Sequence, residues 1–144
     1  MKRSITGTVA IDASVIIELL FQSKGGVLIR NALLDEIIDA HTTEIAIAEV
    51  KYVLCRKLGW EESYKRIEKL LNSGYINVYD TSELVDFAAK YKCERSIALA
   101  DCFILALAKK LGCKALFSRR EQELVKEMNK KEFDVEIVFL EDLV

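Results

Sequence analysis

Proline is absent from all 144 residues, and histidine and tryptophan occur once each. Together with a charged fraction of 31%, that absence fits a helix-rich, heat-adapted sequence. The four cysteines, Cys55, Cys93, Cys102 and Cys113, show no Cys-x-x-Cys spacing and have only His41 to join them. The usual zinc frameworks are thereby excluded, and the cysteines read as reduced, small apolar residues. Net positive charge is lacking too: 21 Lys and Arg stand against 23 Asp and Glu, a formal charge of -2. No whole-molecule basic field exists to draw in nucleic acid, so any contact with RNA or DNA has to be local. No apolar run is long enough to span a bilayer and no signal-peptide pattern precedes the first strand. The expectation is a soluble, cytoplasmic protein with no membrane partner. With 51% of its residues apolar and no linker-like stretch, the chain is expected to form one domain over 1–144 with a sizeable core.

What is present is an alternation of short β-branched runs and longer amphipathic ones. Residues 8–11 predict a strand that ends at Asp12, and Ser14 stands in a helix-capping position before 15–21. Gly25-Gly26 interrupts the pattern, after which Val27, Ile29, Leu33, Leu34, Ile37 and Ile38 recur at helical spacing. Residues 40–42 predict a brief strand, Thr43 the cap of a helix over 44–58 stopped by Gly59, and 61–74 a further helix. A strand over 75–79 and a helix opened by Ser82 come next, then a helix begun at Ser96 and closed by Lys109, Lys110 and Gly112. A strand over 115–117, a helix over 120–130 and a strand over 135–139 complete the series. The alternation predicts an α/β fold, a single-domain three-layer sandwich with a central parallel β-sheet flanked by helices. Ligands in such folds gather at the carboxyl ends of the strands, where Asp12 already stands.

Two acids break the apolar pattern. Asp101 is the only charge in the run 97–108, and its neighbours three and four positions away are Ile97, Ala98, Ile104 and Leu105. On a helix those residues share its face, so a carboxylate occupies a place that the pattern assigns to the core. Glu49 repeats the anomaly among Ile45, Ala46, Tyr52 and Val53. One inward acid is readily explained by a salt bridge or a hydrogen-bond network. Two of them, plus Asp12 at a strand end, point instead to a cleft in which like charges are held ionised by a hard divalent cation.

The residues around these acids resemble a known family. Val9-Ala10-Ile11-Asp12-Ala13-Ser14-Val15-Ile16-Ile17-Glu18-Leu19-Leu20 looks like the opening of a PIN domain (PilT N-terminus), the nuclease fold of the VapC-type toxins. Ala48-Glu49-Val50 with Val53-Leu54 resembles the family's second acidic motif, and Leu99-Ala100-Asp101-Cys102-Phe103-Ile104-Leu105 its third. The resemblance implies a PIN-like fold and an endoribonuclease dependent on Mg2+ or Mn2+, acting on single-stranded or structured RNA. Asp12, Glu49 and Asp101 would be its catalytic, metal-binding acids. It also implies a homodimer and a small antitoxin protein as partner, the chain being the toxin of a toxin–antitoxin pair.

The pattern departs from the family after the fourth strand. PIN domains commonly carry Thr-x-Asp there, and this chain has Ser118-Arg119-Arg120-Glu121-Gln122-Glu123. Ser118 matches the hydroxyl, Arg120 replaces the aspartate, and Glu121 and Glu123 are further candidates on a helix whose solvated face would also suit them. Ser14 is a candidate for a hydrogen bond to a ligand or water, with helix capping as its plainer role. Arg119 and Arg120 are candidate RNA contacts, and Arg3, Lys51 and Arg95 lie near the motifs in sequence. His41, Trp60 and Glu18 read as surface or packing residues, Glu18 as solvent-facing. Dehalogenase-type phosphatases would want an aspartate where Ser14 stands, and neither that fold nor a response-regulator receiver explains Glu49 and Asp101. The rival reading is a weak or inactive PIN-like module that binds RNA or protein without cutting, and the replaced fourth acid favours it.

Overall fold

Val9, Ala10 and Ile11 are fully buried, and the rest of the sheet is assembled around them. The computed structural model describes residues 4–144, so Arg3 lies outside the described residues. Strand β1 (Gly7–Ile11) pairs in parallel with β2 (Ile38–Thr43) on one side and β4 (Lys114–Phe117) on the other. The edges are β3 (Ile76–Tyr79) beside β2 and β5 (Ile137–Phe139) beside β4, giving the all-parallel order β3-β2-β1-β4-β5. The chain moves outward from β1 through β2 to β3, then returns to lay β4 against the free side of β1. The order therefore reverses between β1 and β4, and the crevice outside their carboxyl ends is where a fold of this kind binds ligands. Asp12 follows β1 and Ser118 follows β4, one on each side of that reversal.

Among the described residues seven helices flank the sheet: α1 (Ala13–Phe21), α2 (Lys24–Leu34), α3 (Glu44–Leu58), α4 (Trp60–Asn72), α5 (Val85–Glu94), α6 (Leu99–Leu111) and α7 (Gln122–Lys130). Helix α6 packs on β1, β2 and β4 with α5 against it, and α1 packs with α2 and α3. Every residue of α6 from Asp101 to Ala108 is buried. Each large apolar side chain removed from water there contributes about 1.5–3 kcal/mol, so α6 is the central pillar of the core. The predicted α/β sandwich is the fold observed.

Several boundaries differ from the sequence expectation for local reasons. Gly25 and Gly26 do not interrupt a helix but lie in the first turn of α2, which Ser23 caps through Gly26 N–H. Helix α2 stops at Leu34, and Ile38 begins β2, which is longer than the brief strand expected. Asp12 rather than Ser14 caps α1. Ser82 lies in a short 3-10 turn that Asp80 caps, with α5 following from Val85. Helix α6 begins after Ala98 rather than at Ser96. Thr43 caps α3 as the sequence implied, accepting from Ala46 N–H at 3.0 Å. All four cysteines are free thiols, and no helix among the described residues is long and apolar enough to cross a membrane.

Candidate metal and active site

Asp12 is held by the backbone of two strands and by the start of α1. Its own N–H donates to Leu116 O at 3.0 Å, tying the end of β1 to β4. As the N-cap of α1 it accepts, on Oδ2, the Ser14 N–H at 3.1 Å and the Ser14 hydroxyl at 2.7 Å. Both bonds use one oxygen, and Oδ1 receives no N–H or O–H donor among the described residues. Ser14 thus serves the acid rather than the helix, and its hydroxyl oxygen in turn accepts Ser118 N–H at 3.1 Å.

Glu49 is delivered by α3, one and a half turns beyond the Thr43 cap, and Asp101 by the first turn of α6. Asp101 is buried, and burial combined with repulsion from Asp12, Glu121 and Glu49 pushes its carboxyl up to about 8. Burial and the charges of Asp12 and Glu121 raise Glu49 as well. Glu121, the residue preceding α7, is raised by burial and by Asp12 and Glu123, and its charge raises Asp101 in turn. Four carboxyl groups from four parts of the chain therefore lie in one electrostatic field. Among the described residues, none of the ion pairs involves Asp12, Glu49, Asp101 or Glu121.

Asp12, Glu49 and Asp101, the three acids singled out in the sequence, act on one another through their charges. The acids share a field without closing into a cage: no group of three His, Cys, Asp or Glu side chains among the described residues is drawn together as a ready metal site. Mg2+ keeps several of its waters and takes only one or two direct carboxylates, so an open set of acids without basic partners among the described residues suits it. Of the two acidic candidates after β4, Glu121 is raised by burial and by the charge of Asp12, and Glu123 adds its charge to Glu121.

The basic candidates fare differently. Arg120 is an exception to the expected phosphate contact, because its guanidinium is forked onto Asp142 at 2.6 and 2.5 Å and onto Glu141 at 3.2 Å. Arg95 donates to the carbonyls of Glu127, Lys131 and Glu132 and lies 3.9 Å from the Phe133 ring centre, which makes it a structural clamp. Lys51 is 4.0 Å from Glu68 and sits over Tyr64. Arg119 is exposed and has no acidic partner among the described residues. His41 bonds Asp39 at 2.8 Å in the middle of β2.

Glu18 is the residue that sequence reasoning missed. It is half-buried rather than solvent-facing, with Oε2 accepting the Ser118 hydroxyl and Oε1 accepting the Ser23 hydroxyl at 2.8 Å. An acid at one position of an amphipathic helix carries no sign of a serine 100 residues away. The polar neighbours Ser14 and Ser23 on the same stretch were the only available signal.

Comparison with known proteins agrees with this geometry. The PIN domain family model matches residues 9–129. Solved structures of similar fold include DNA-bound VapBC from Salmonella typhimurium, with a TM-score of 0.68 and 13% identity over 92% of this chain and 98% of that one. VapBC-1 from nontypeable Haemophilus influenzae gives 0.63 and 20%, covering 93% and 98%. VapC20 from Mycobacterium tuberculosis, described as a Sarcin-Ricin loop cleaving toxin, gives 0.63 and 15%, covering 82% and 93%. A search of curated proteins finds no significant match. The family match spans most of the chain, and on that ground the protein belongs to the PIN domain family.

Proposed function

We propose that this protein is an endoribonuclease dependent on Mg2+ or Mn2+ that hydrolyses RNA phosphodiester bonds, and that it is the toxin of a toxin–antitoxin pair. One observation carries the chemistry: Asp12, Glu49, Asp101 and Glu121 act on one another through their charges, and among the described residues none of them has a basic partner within salt-bridge distance. Such a site gains most from a divalent cation, which relieves the repulsion. Bound there, the ion would acidify a water for attack and offset charge on the phosphate. Asp12 is the most rigidly held acid, fixed by β1, by the Leu116 carbonyl and by Ser14, with Oδ1 left for a ligand. Glu49 and Asp101 would complete the ligand set, with Glu121 accepting hydrogen bonds from the ion's waters or holding Asp101. Ser14 orients Asp12, and Arg119 is the exposed cation best placed in sequence to meet a phosphate.

The partner reading rests on the neighbours, several of which are toxin–antitoxin complexes, and on one surface of this chain. Leu19, Leu20, Leu33, Leu34, Leu70 and Tyr75 line an apolar groove between α1, α2 and α4. An amphipathic segment of a small antitoxin would fill it. A homodimer and a cytoplasmic setting belong to the same proposal. The non-cutting alternative draws on the replacement of the fourth aspartate by Arg120, and Glu121, raised by the charge of Asp12, supports the cutting reading.

The test is a titration with Mn2+ alone, paired with cleavage of an unstructured RNA, on wild type and Asp12→Asn. Asparagine retains an oxygen to cap α1, so the variant keeps its fold while losing the charge. Cleavage that requires the ion and falls by about 100-fold or more in the variant supports the proposal. Tight RNA binding without cleavage under any divalent ion establishes the binding-module reading instead.

A further inference from the structure

Glu18 lies outside the acid group, yet it is bonded at both carboxyl oxygens. Oε1 takes the Ser23 hydroxyl, and Ser23 Oγ itself accepts Gly26 N–H at 3.0 Å, so the first turn of α2 grips one side of the carboxylate. A Cβ on Gly25 would fall 3.1 Å from Oε1, and one on Gly26 would fall 2.0 Å from the Glu18 carbonyl oxygen. The two helices thus meet at Glu18 with no room to spare, and the side chain has one place to be. Its other oxygen takes the Ser118 hydroxyl.

Ser118 is held at every polar group it has. Its N–H goes to Ser14 Oγ at 3.1 Å, its hydroxyl to Glu18, and its carbonyl accepts Glu141 N–H at 3.0 Å. Three residues later the same segment carries Glu121, whose charge raises the Asp101 carboxyl. Between them, Arg120 is pinned to Glu141 and Asp142. The turn after β4 is thus anchored at its root and in its middle, and Glu121 is the acid at its far end.

We infer that Glu18 is a positioning residue: by holding Ser118 against α1 it sets the turn that delivers Glu121 to the acid site, without itself touching metal or RNA. The inference rests on the proposed metal site for its functional consequence but not for its structural one. Glu18 acts by accepting two hydroxyl bonds, so a glutamine, which keeps a carbonyl oxygen for Ser118 and an amide to donate to Ser23, preserves the hold. An alanine removes it.

Mn2+ affinity, measured with the metal alone, is compared for wild type, E18Q, E18A, E121Q and E18A/E121Q, with amide hydrogen exchange of Ser118 and Glu121 followed on the same proteins. Expected are near wild-type affinity in E18Q, a loss of about tenfold in E18A, and a double variant no weaker than E121Q. Exchange at Ser118 should accelerate in E18A and remain slow in E18Q. Additive losses in the double variant, or an E18Q as weak as E18A, overturn the positioning role and make Glu18 a charge contributor. Unchanged Ser118 exchange in E18A overturns it as well. Should wild type bind no Mn2+, the nuclease proposal fails, and the exchange measurement still decides whether Glu18 holds the turn.

Discussion

Burial and three acidic neighbours let Asp101 keep its proton up to about pH 8 in the folded protein, against an ordinary value of 3.8. Between those values the folded state holds a proton that the unfolded chain has released, so raising the pH favours unfolding. The loss accumulates from about pH 4 to pH 8, at no more than about 1.4 kcal/mol for each pH unit crossed, and is complete above the folded value. Asp101→Asn cannot ionise and escapes this cost. In the presence of EDTA its melting temperature should exceed that of wild type by several degrees at pH 8, with the gap closing near pH 4. A calorimetric pH series showing equal melting temperatures at pH 8 would mean that the carboxyl is relieved by something other than a proton. Asp101 and Glu49 were legible in the sequence because a charge within an apolar helical run is visible from its neighbours at three and four positions. Glu18 and Glu121 were not, since Glu18 is defined by a hydrogen bond to Ser118 and Glu121 by the charges of Asp12 and Asp101, residues that only the fold brings near.

At the scale of elements, the strands were legible from their β-branched runs, and helix ends were less so. The Gly25-Gly26 pair shows why. Read along the chain, two glycines signal a break. In the fold they are the point where α2 crosses α1, and the missing Cβ of Gly26 is what admits the Glu18 carbonyl, 2.0 Å from where that atom would stand. Backbone cannot yield as a side-chain end can. Gly26→Ala should therefore destabilise the protein by at least about 1–3 kcal/mol despite alanine's better helix propensity, because the two helices must move apart. Urea unfolding with an unchanged m-value and a lower midpoint is the expected result, and a midpoint equal to or above that of wild type would refute the close-contact argument. The order of strands was beyond sequence reach altogether. It is set by which crossover returns beside β1, and that return is what makes Asp12 and Ser118 neighbours.

For the whole molecule, a formal charge of -2 and the engagement of the cations near the motifs would govern how the proposed ribonuclease holds RNA. Of the basic residues near the motifs, Arg95, Arg120 and Lys51 are engaged with carbonyls, acids or rings, and Arg119 alone is exposed without an acidic partner among the described residues. The proposed site would repel a polyanion until a divalent ion is bound. Binding should then depend on few phosphate contacts, and log K should fall with log salt at a slope of roughly -1 to -2, as about 0.7 per phosphate on a single strand implies. Fluorescence anisotropy of an unstructured RNA on Asp12→Asn protein, over a sodium chloride series at fixed Mg2+, measures that slope. Arg119→Ala should weaken binding and flatten the slope by about one contact without lowering the melting temperature. Arg120→Ala should do the reverse, lowering stability through the loss of its fork onto Asp142 and Glu141 while leaving the slope unchanged. A steep slope, of the size that a strongly basic protein shows, would mean that the RNA-holding surface is assembled from more than one copy of this chain or from a partner.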